Sequence, residues 1–114
     1  MLFILRFTNK PEKSALLPQL YPAHVEWLRQ HETQVLVAGS IRTDAEAPPI
    51  GGLWIVEADS KADVEALFST DPFWVNDLRQ GYEILFWSKA FRKRAICCGN
   101  AACQARRRRS TASL

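Results

Sequence analysis

The run Tyr21-Pro22-Ala23-His24-Val25-Glu26-Trp27-Leu28 and the later Asp71-Pro72-Phe73 hold the residue types best suited to proton transfer in this chain. His24 is one of only two histidines. Imidazole is the side chain that, unperturbed, both takes and gives a proton near neutrality. An aspartate folded beside it would fix its tautomer and stabilise its charged form, the orienting role familiar from catalytic triads. The plainer reading is a half-buried histidine on an amphipathic helix and an aspartate that forms a turn before proline. Residue type makes His24 and Asp71 candidates; only proximity in the fold makes them a pair.

Other side chains offer less. Ser40 closes an apolar segment and could donate a hydrogen bond to a substrate oxygen, although a strand-end hydroxyl needs no such role. Trp27, Trp54, Trp74 and Trp87 could build an aromatic wall for a planar ligand, with Trp27 and Trp54 the candidates for substrate contact. Packing accounts for at least two of the four. His31 lies one helical turn too far from His24 to share its task and is expected on the surface. The two histidines are also seven positions apart, not the i, i+4 pair of a helical zinc site. Cys97, Cys98 and Cys103 lack a nearby fourth ligand and match no structural zinc pattern. They read as free thiols, and no metal is expected.

The elements that must position these residues belong to one small domain. A chain of 114 residues buries roughly 60–70% of the surface its unfolded form exposes. That supports one core, and any sizeable ligand site is expected to draw on a second subunit. No apolar run is long enough to span a membrane. The apolar start, Met1 to Phe7, has no basic leader or small-residue cleavage site, so it reads as a strand and not a signal peptide. A cytoplasmic location is the default expectation. Charge is divided unevenly. Up to Phe91 there are eight basic and 12 acidic residues; beyond it there are seven basic residues and no acidic ones. The pI near 9.0 therefore describes the tail and not the body.

Leu2 to Thr8 alternates and is rich in Phe, Ile and Leu, which predicts a strand. A polar break follows, then a helix from about residue 14 or, more firmly, from Pro22 to about Glu32, since proline suits the first helical position. That start places His24 in the first turn, sharing a face with Trp27, Leu28 and His31. Val35 to Ile41 reads as a second strand, residues 42–50 as a loop, and Gly51-Gly52 as the opening of a third strand that runs to Ala58. Ser60 with Asp63 forms a capping-box signature, and Val64, Leu67 and Phe68 give the buried face of a second helix. Pro72 ends that helix near Thr70. Phe73 to Gly81 is a short helix or turn, and Tyr82 to Trp87 a fourth strand. The order βαββαβ is ferredoxin-like α+β: a four-stranded antiparallel sheet with two helices on one face. Strands one, three and four carry apolar residues on both alternating sets, where a sheet with one wet face alternates cleanly. The second face is thus expected to be buried in a two-fold homodimer.

These segments resemble the YCII-related family of the dimeric α+β barrel superfamily. The resemblance rests on the apolar first strand, Pro22-Ala23-His24 with Leu28, Ala38-Gly39, Gly51-Gly52, Ile55-Val56-Glu57-Ala58, Ser60, Asp71-Pro72-Phe73 and Glu83-Ile84. It covers roughly residues 1–90 and assigns 1–91 to a YCII-like domain; 92–114, with little apolar periodicity and a run of four arginines, is expected to be a basic, disordered tail. What it implies is a proton-transfer pair in a cleft, mapping onto His24 and Asp71. One branch of the family eliminates hydrogen chloride from a chlorinated hydroxyquinol with neither metal nor organic cofactor. Two departures stand out: Tyr21 where many relatives are basic, and Ser40 where many carry proline. The first implies a less charged substrate.

The leading expectation is a small cofactor-independent lyase or isomerase acting on a small cyclic or aromatic molecule. The alternative is a non-catalytic dimeric module that binds a small ligand in the same cleft. A third reading gives the arginine-rich tail weak, non-specific binding to nucleic acid or another anion by charge alone.

Overall fold

Phe3, Leu5 and Phe7 point to one side of the first strand, β1 (Leu2–Asn9), and all three are buried in the computed structural model, which describes residues 1–91. A 3-10 turn (Pro11–Leu16) leads into α1 (Leu17–Gln30), followed by β2 (Val35–Ile41) and β3 (Gly51–Glu57). Then come α2 (Lys61–Phe68), the single turn α3 (Pro72–Val75) and β4 (Arg79–Phe86). The four strands pair antiparallel in the order β2-β3-β1-β4. This is the ferredoxin-like α+β arrangement, with α3 added before the last strand. The tail from residue 92, its disorder and Cys97, Cys98 and Cys103 lie outside the described residues.

One core lies between sheet and helices. Phe3, Leu5 and Phe7 of β1, Trp54 and Val56 of β3 and Val35 of β2 meet Trp27 of α1 and Val64 and Phe68 of α2. Phe7 stands among aromatic edges, with ring centroids 5.1 Å from Trp54 and 5.2 Å from Phe68. Each such pair adds about 0.5–1.5 kcal/mol beyond the area it buries. Ser60 caps α2 as its sequence suggests, its hydroxyl accepting from the Asp63 amide at 3.1 Å.

The opposite face of the sheet carries no helix, and strand register defines it. Arg6 faces Glu83 and Leu53, and Ile4 faces Leu85 and Ile55. Arg6 and Glu83 form an ion pair there. Around it, Val37 (62% exposed), Leu85 (42%) and Leu53 (36%) are apolar and open.

Two boundaries differ from expectation. The first helix begins five residues before Pro22, which now lies inside it. Pro18 supplies the proline of the opening turn, and Pro22 costs one interior helical bond. The fourth strand begins at Arg79, not Tyr82, so Gly81 lies within it. A reversal at Asp77 (φ 63°) turns the chain into this strand, a left-handed conformation that aspartate tolerates better than most residues.

Candidate functional site

Because α1 starts at Leu17, His24 sits two turns into the helix and not in its first turn. It is almost wholly buried, facing the sheet instead of its edge. Asp71 reaches it from the other side. Extended backbone at Asp71 (φ −64°, ψ 131°) separates α2 from α3, and its main-chain oxygen accepts from the amides of Trp74 and Val75, both at 2.9 Å. An aspartate at this N-cap position ordinarily gives its carboxylate to the amides of the first turn. Here no side-chain cap forms. The carboxylate instead meets His24, with Nδ1 and Oδ1 2.6 Å apart and Asp71 0% exposed.

That contact orients the imidazole. An ionised carboxylate only accepts, so against it Nδ1 donates, and in the neutral imidazole Nε2 then keeps its lone pair. Nε2 makes no hydrogen bond among the described residues. The ring also stacks on Phe73, with centroids 3.9 Å apart and 12° between planes. Carboxylate and phenyl ring together leave it little freedom to turn.

His24 lines a cavity of about 300 Å³ between α1 and the β2–β3 side of the sheet. That volume is at the lower end for small-molecule sites, roughly 300–1,000 Å³. Residues from α1, β2, β3 and β4 of the chain contribute to its lining. Tyr21 and Leu28 form part of the helical wall, and Gly39, Ser40, Gly52 and Trp54 part of the sheet wall. Ser40 and Trp54 thus both line this cavity. Trp27 does not: its indole N–H donates to Thr70 Oγ1 at 2.9 Å, and its ring stacks on His31 at 4.0 Å. One helical step of three residues from His24 turns it from the cavity into the core. His31, expected on the surface, is half-buried by this stacking, and its Nδ1 lies 2.7 Å from the Trp27 carbonyl oxygen.

Sequence reasoning missed Arg79 and Asn9. Arg79 is 6% exposed and lines the cavity. Its Nη1 donates to Asn9 Oδ1 at 2.6 Å, and its guanidinium carbon lies 4.4 Å from the Phe7 ring centroid and 5.0 Å from that of Phe73. Strand alternation explains the omission. Tyr82, Ile84 and Phe86 oppose Phe7, Leu5 and Phe3 on the helix side, which by simple alternation sends residue 79 to the other face. A register shift between Thr8 and Asn9 leaves Gln80 unpaired and sets Arg79 opposite Asn9. Such bulges re-aim a side chain, here into the cavity. A basic residue beside a strand start was the only signal in the sequence.

Burial pushes the Arg79 guanidinium down to about 10, with the Asp71 carboxylate acting against the shift. It therefore carries its charge at neutral pH. Desolvating such a group costs several kcal/mol, while stacking on aromatic rings returns about 2 kcal/mol. No ion pair holds Arg79 among the described residues. Those residues also contain no cluster of side chains able to hold a metal ion.

A YCII-related domain model matches residues 1–88. The chain belongs to the YCII-related family. Among solved structures, this YCII-related chain is similar to the 5-chloro-2-hydroxyhydroquinone dehydrochlorinase of Burkholderia phenoliruptrix AC1100 in complex with 2,5-dihydroxybenzoquinone. The identity is 23% and the TM-score 0.70, over 77% of this chain and 94% of that one. A putative antibiotic biosynthesis monooxygenase from Bacteroides thetaiotaomicron is similar at 20% identity and TM-score 0.52, over 80% and 90% of the two chains. At these identities the likeness concerns the fold. Among curated proteins, none matches the chain. No helix of the described residues is long and apolar enough to cross a membrane.

Proposed function

We propose that this protein is a cofactor-independent enzyme of the lyase or isomerase kind, with His24 as its proton-transfer residue and Asp71 orienting it. The observation that carries the reading is the 2.6 Å contact between His24 Nδ1 and Asp71 Oδ1 beside a cavity of about 300 Å³. Nε2, deprotonated while Asp71 holds the other nitrogen, is the base. In an elimination, a proton passes from substrate to Nε2 and its electron pair forms the new double bond. The leaving group departs with the pair of the bond that breaks, as chloride in a dehydrochlorination. In an isomerisation, Nε2 returns the proton at another atom. Neither course needs an oxidant or reductant. Trp54 and the apolar wall suit a planar ring, and Ser40, in the same wall, would donate to a ring oxygen. Similarity in fold to a dehydrochlorinase solved with a quinone supports a small cyclic compound as substrate. A general base of this kind contributes typically about 10²–10⁴ in rate.

We also propose a homodimer closed sheet against sheet, which the apolar helix-free face supports. The test of function is turnover of chlorinated hydroxyquinols, read as chloride release and by absorbance of the quinone formed. His24→Ala should abolish it and Asp71→Asn cut it sharply. Binding of the same compounds without turnover in the native protein would identify a ligand-binding module instead.

A further inference from the structure

Arg79 is unusual among the charged residues described. It is buried, and its one hydrogen bond goes to a neutral amide oxygen. Its Nε is buried without a partner, and so is Nδ2 of Asn9. Asn9 and Arg79, on paired strands, both line the cavity that His24 lines, and the guanidinium has no counter-ion in contact. Asp71 does not fill that role. Its Oδ1 is engaged by His24, and no oxygen of Asp71 comes within ion-pair distance of Arg79.

The surroundings keep space in front of this group. Gly52 faces the same side of the sheet as Phe7, its partner in register. A Cβ at Gly52 would stand 3.3 Å from Arg79 Nη2 and 3.5 Å from Nη1, tight enough that the guanidinium would have to shift. The bulge at Gln80 exists on the same strand that delivers Arg79. A structural arginine would need neither device, since a hydrophobic residue stacked between Phe7 and Phe73 would fill the place without desolvating a charge.

We infer that Arg79 and Asn9 form an oxyanion subsite, so that the cavity takes a small planar ring bearing a negatively charged oxygen. This rests on the cavity being the substrate site proposed above and names the class of molecule it accepts. It also reverses the expectation drawn from Tyr21: the cation reaches the cavity from β4 and not from α1. Charge balance favours the same conclusion. With His24 neutral, Arg79 and Asp71 cancel, and a proton taken up by His24 leaves one positive charge for the anion to offset.

Calorimetric titration of the full chain distinguishes the possibilities, with His24→Ala as the background so that turnover does not interfere. The probes are 2,5-dihydroxybenzoquinone for a ring enolate, benzoate for a carboxylate, and benzamide as the neutral shape-mate. At least one anion should bind about tenfold or more tightly than benzamide, consistent with a charge-assisted contact. Which anion gains names the source of the oxygen. Arg79→Met should remove the difference, and Arg79→Lys should restore part of it. Should Arg79→Met fail to fold by circular dichroism, Gly52→Ala serves in its place and should narrow the gap between anion and benzamide. Equal binding of all three probes overturns the inference, as does an anion advantage that survives both substitutions. Because binding alone is read, a protein that turns over none of these compounds can still satisfy the test.

Discussion

Asp71 occupies a helix N-cap yet gives its carboxylate to His24, 2.6 Å away, and leaves the first-turn amides of α3 uncapped by any side chain. A short helix of four residues thereby forgoes a cap whose loss typically costs about 1 kcal/mol. The same residue is wholly buried with Oδ2 unpartnered. Stability alone would not select that arrangement. Orientation of an imidazole would.

His24→Ala should therefore remove catalysis while the protein still folds. Asp71→Asn should lower the rate by about 10²–10⁴, the range of general-base contributions, because the amide can hold the wrong tautomer. Initial rates with the hydroxyquinol panel, alongside circular dichroism spectra, measure both effects. Unchanged rates in either variant would remove the pair from the mechanism.

In the His24→Ala background, anion binding should hold steady from pH 7 and fall above about pH 10, where burial has brought the Arg79 proton within reach. The sign follows from linkage. A bound anion favours charged Arg79 and raises its pKa in the complex, so apparent affinity declines once pH passes the value of the free protein. Titrations between pH 7 and about 11 measure this, with Arg79→Lys as the comparison.

Glycine tolerance should differ sharply along the cavity. A Cβ at Gly51 would lie 2.0 Å from the Phe7 carbonyl oxygen, backbone that cannot yield cheaply, whereas one at Gly39 meets nothing within 4 Å. Gly51→Ala should cost about 1–3 kcal/mol, as overpacked sites do. Gly39→Ala should stay within about 0.5 kcal/mol of the parent. Urea melts decide it.

Aspartate introduced at Val37 or Leu85, both open on the helix-free face, should shift the protein from dimer to monomer. Sedimentation at micromolar concentration reads the change directly. A native chain that is already monomeric would rule out the sheet-to-sheet assembly.

Deleting residues 92–114 should leave the melting temperature and the dimer unaltered, since the ferredoxin-like unit closes with β4 at Phe86. A large loss of thermal stability on truncation would place the domain boundary further along the chain.

Much of this protein is legible without coordinates, for reasons that act over a few residues. Alternation in Phe3, Leu5 and Phe7 makes a strand, Ser60 with Asp63 starts a helix, and Pro72 prevents α2 from continuing. The element order then leaves few ways to pack, which is why the βαββαβ sheet was readable and why His24 and Asp71 stood out by type. Side-by-side antiparallel helices put the start of one beside the end of the other, so hydrogen-bond reach between the two is an expectation of that order; the 2.6 Å contact itself depends on how α1 and α3 settle against the sheet. Pro22 misled on the helix start, since a helix already propagating from Leu17 tolerates a lost interior bond that a local rule treats as a boundary. Trp27 and Trp54 look alike in sequence, and only helix rotation and strand register send one to the core and the other to the cavity. Arg79 is the clearest case. Its direction is set by one unpaired residue, Gln80, opposite a strand 70 positions away in the chain. Nothing local encodes a bulge that arises from pairing two distant strands.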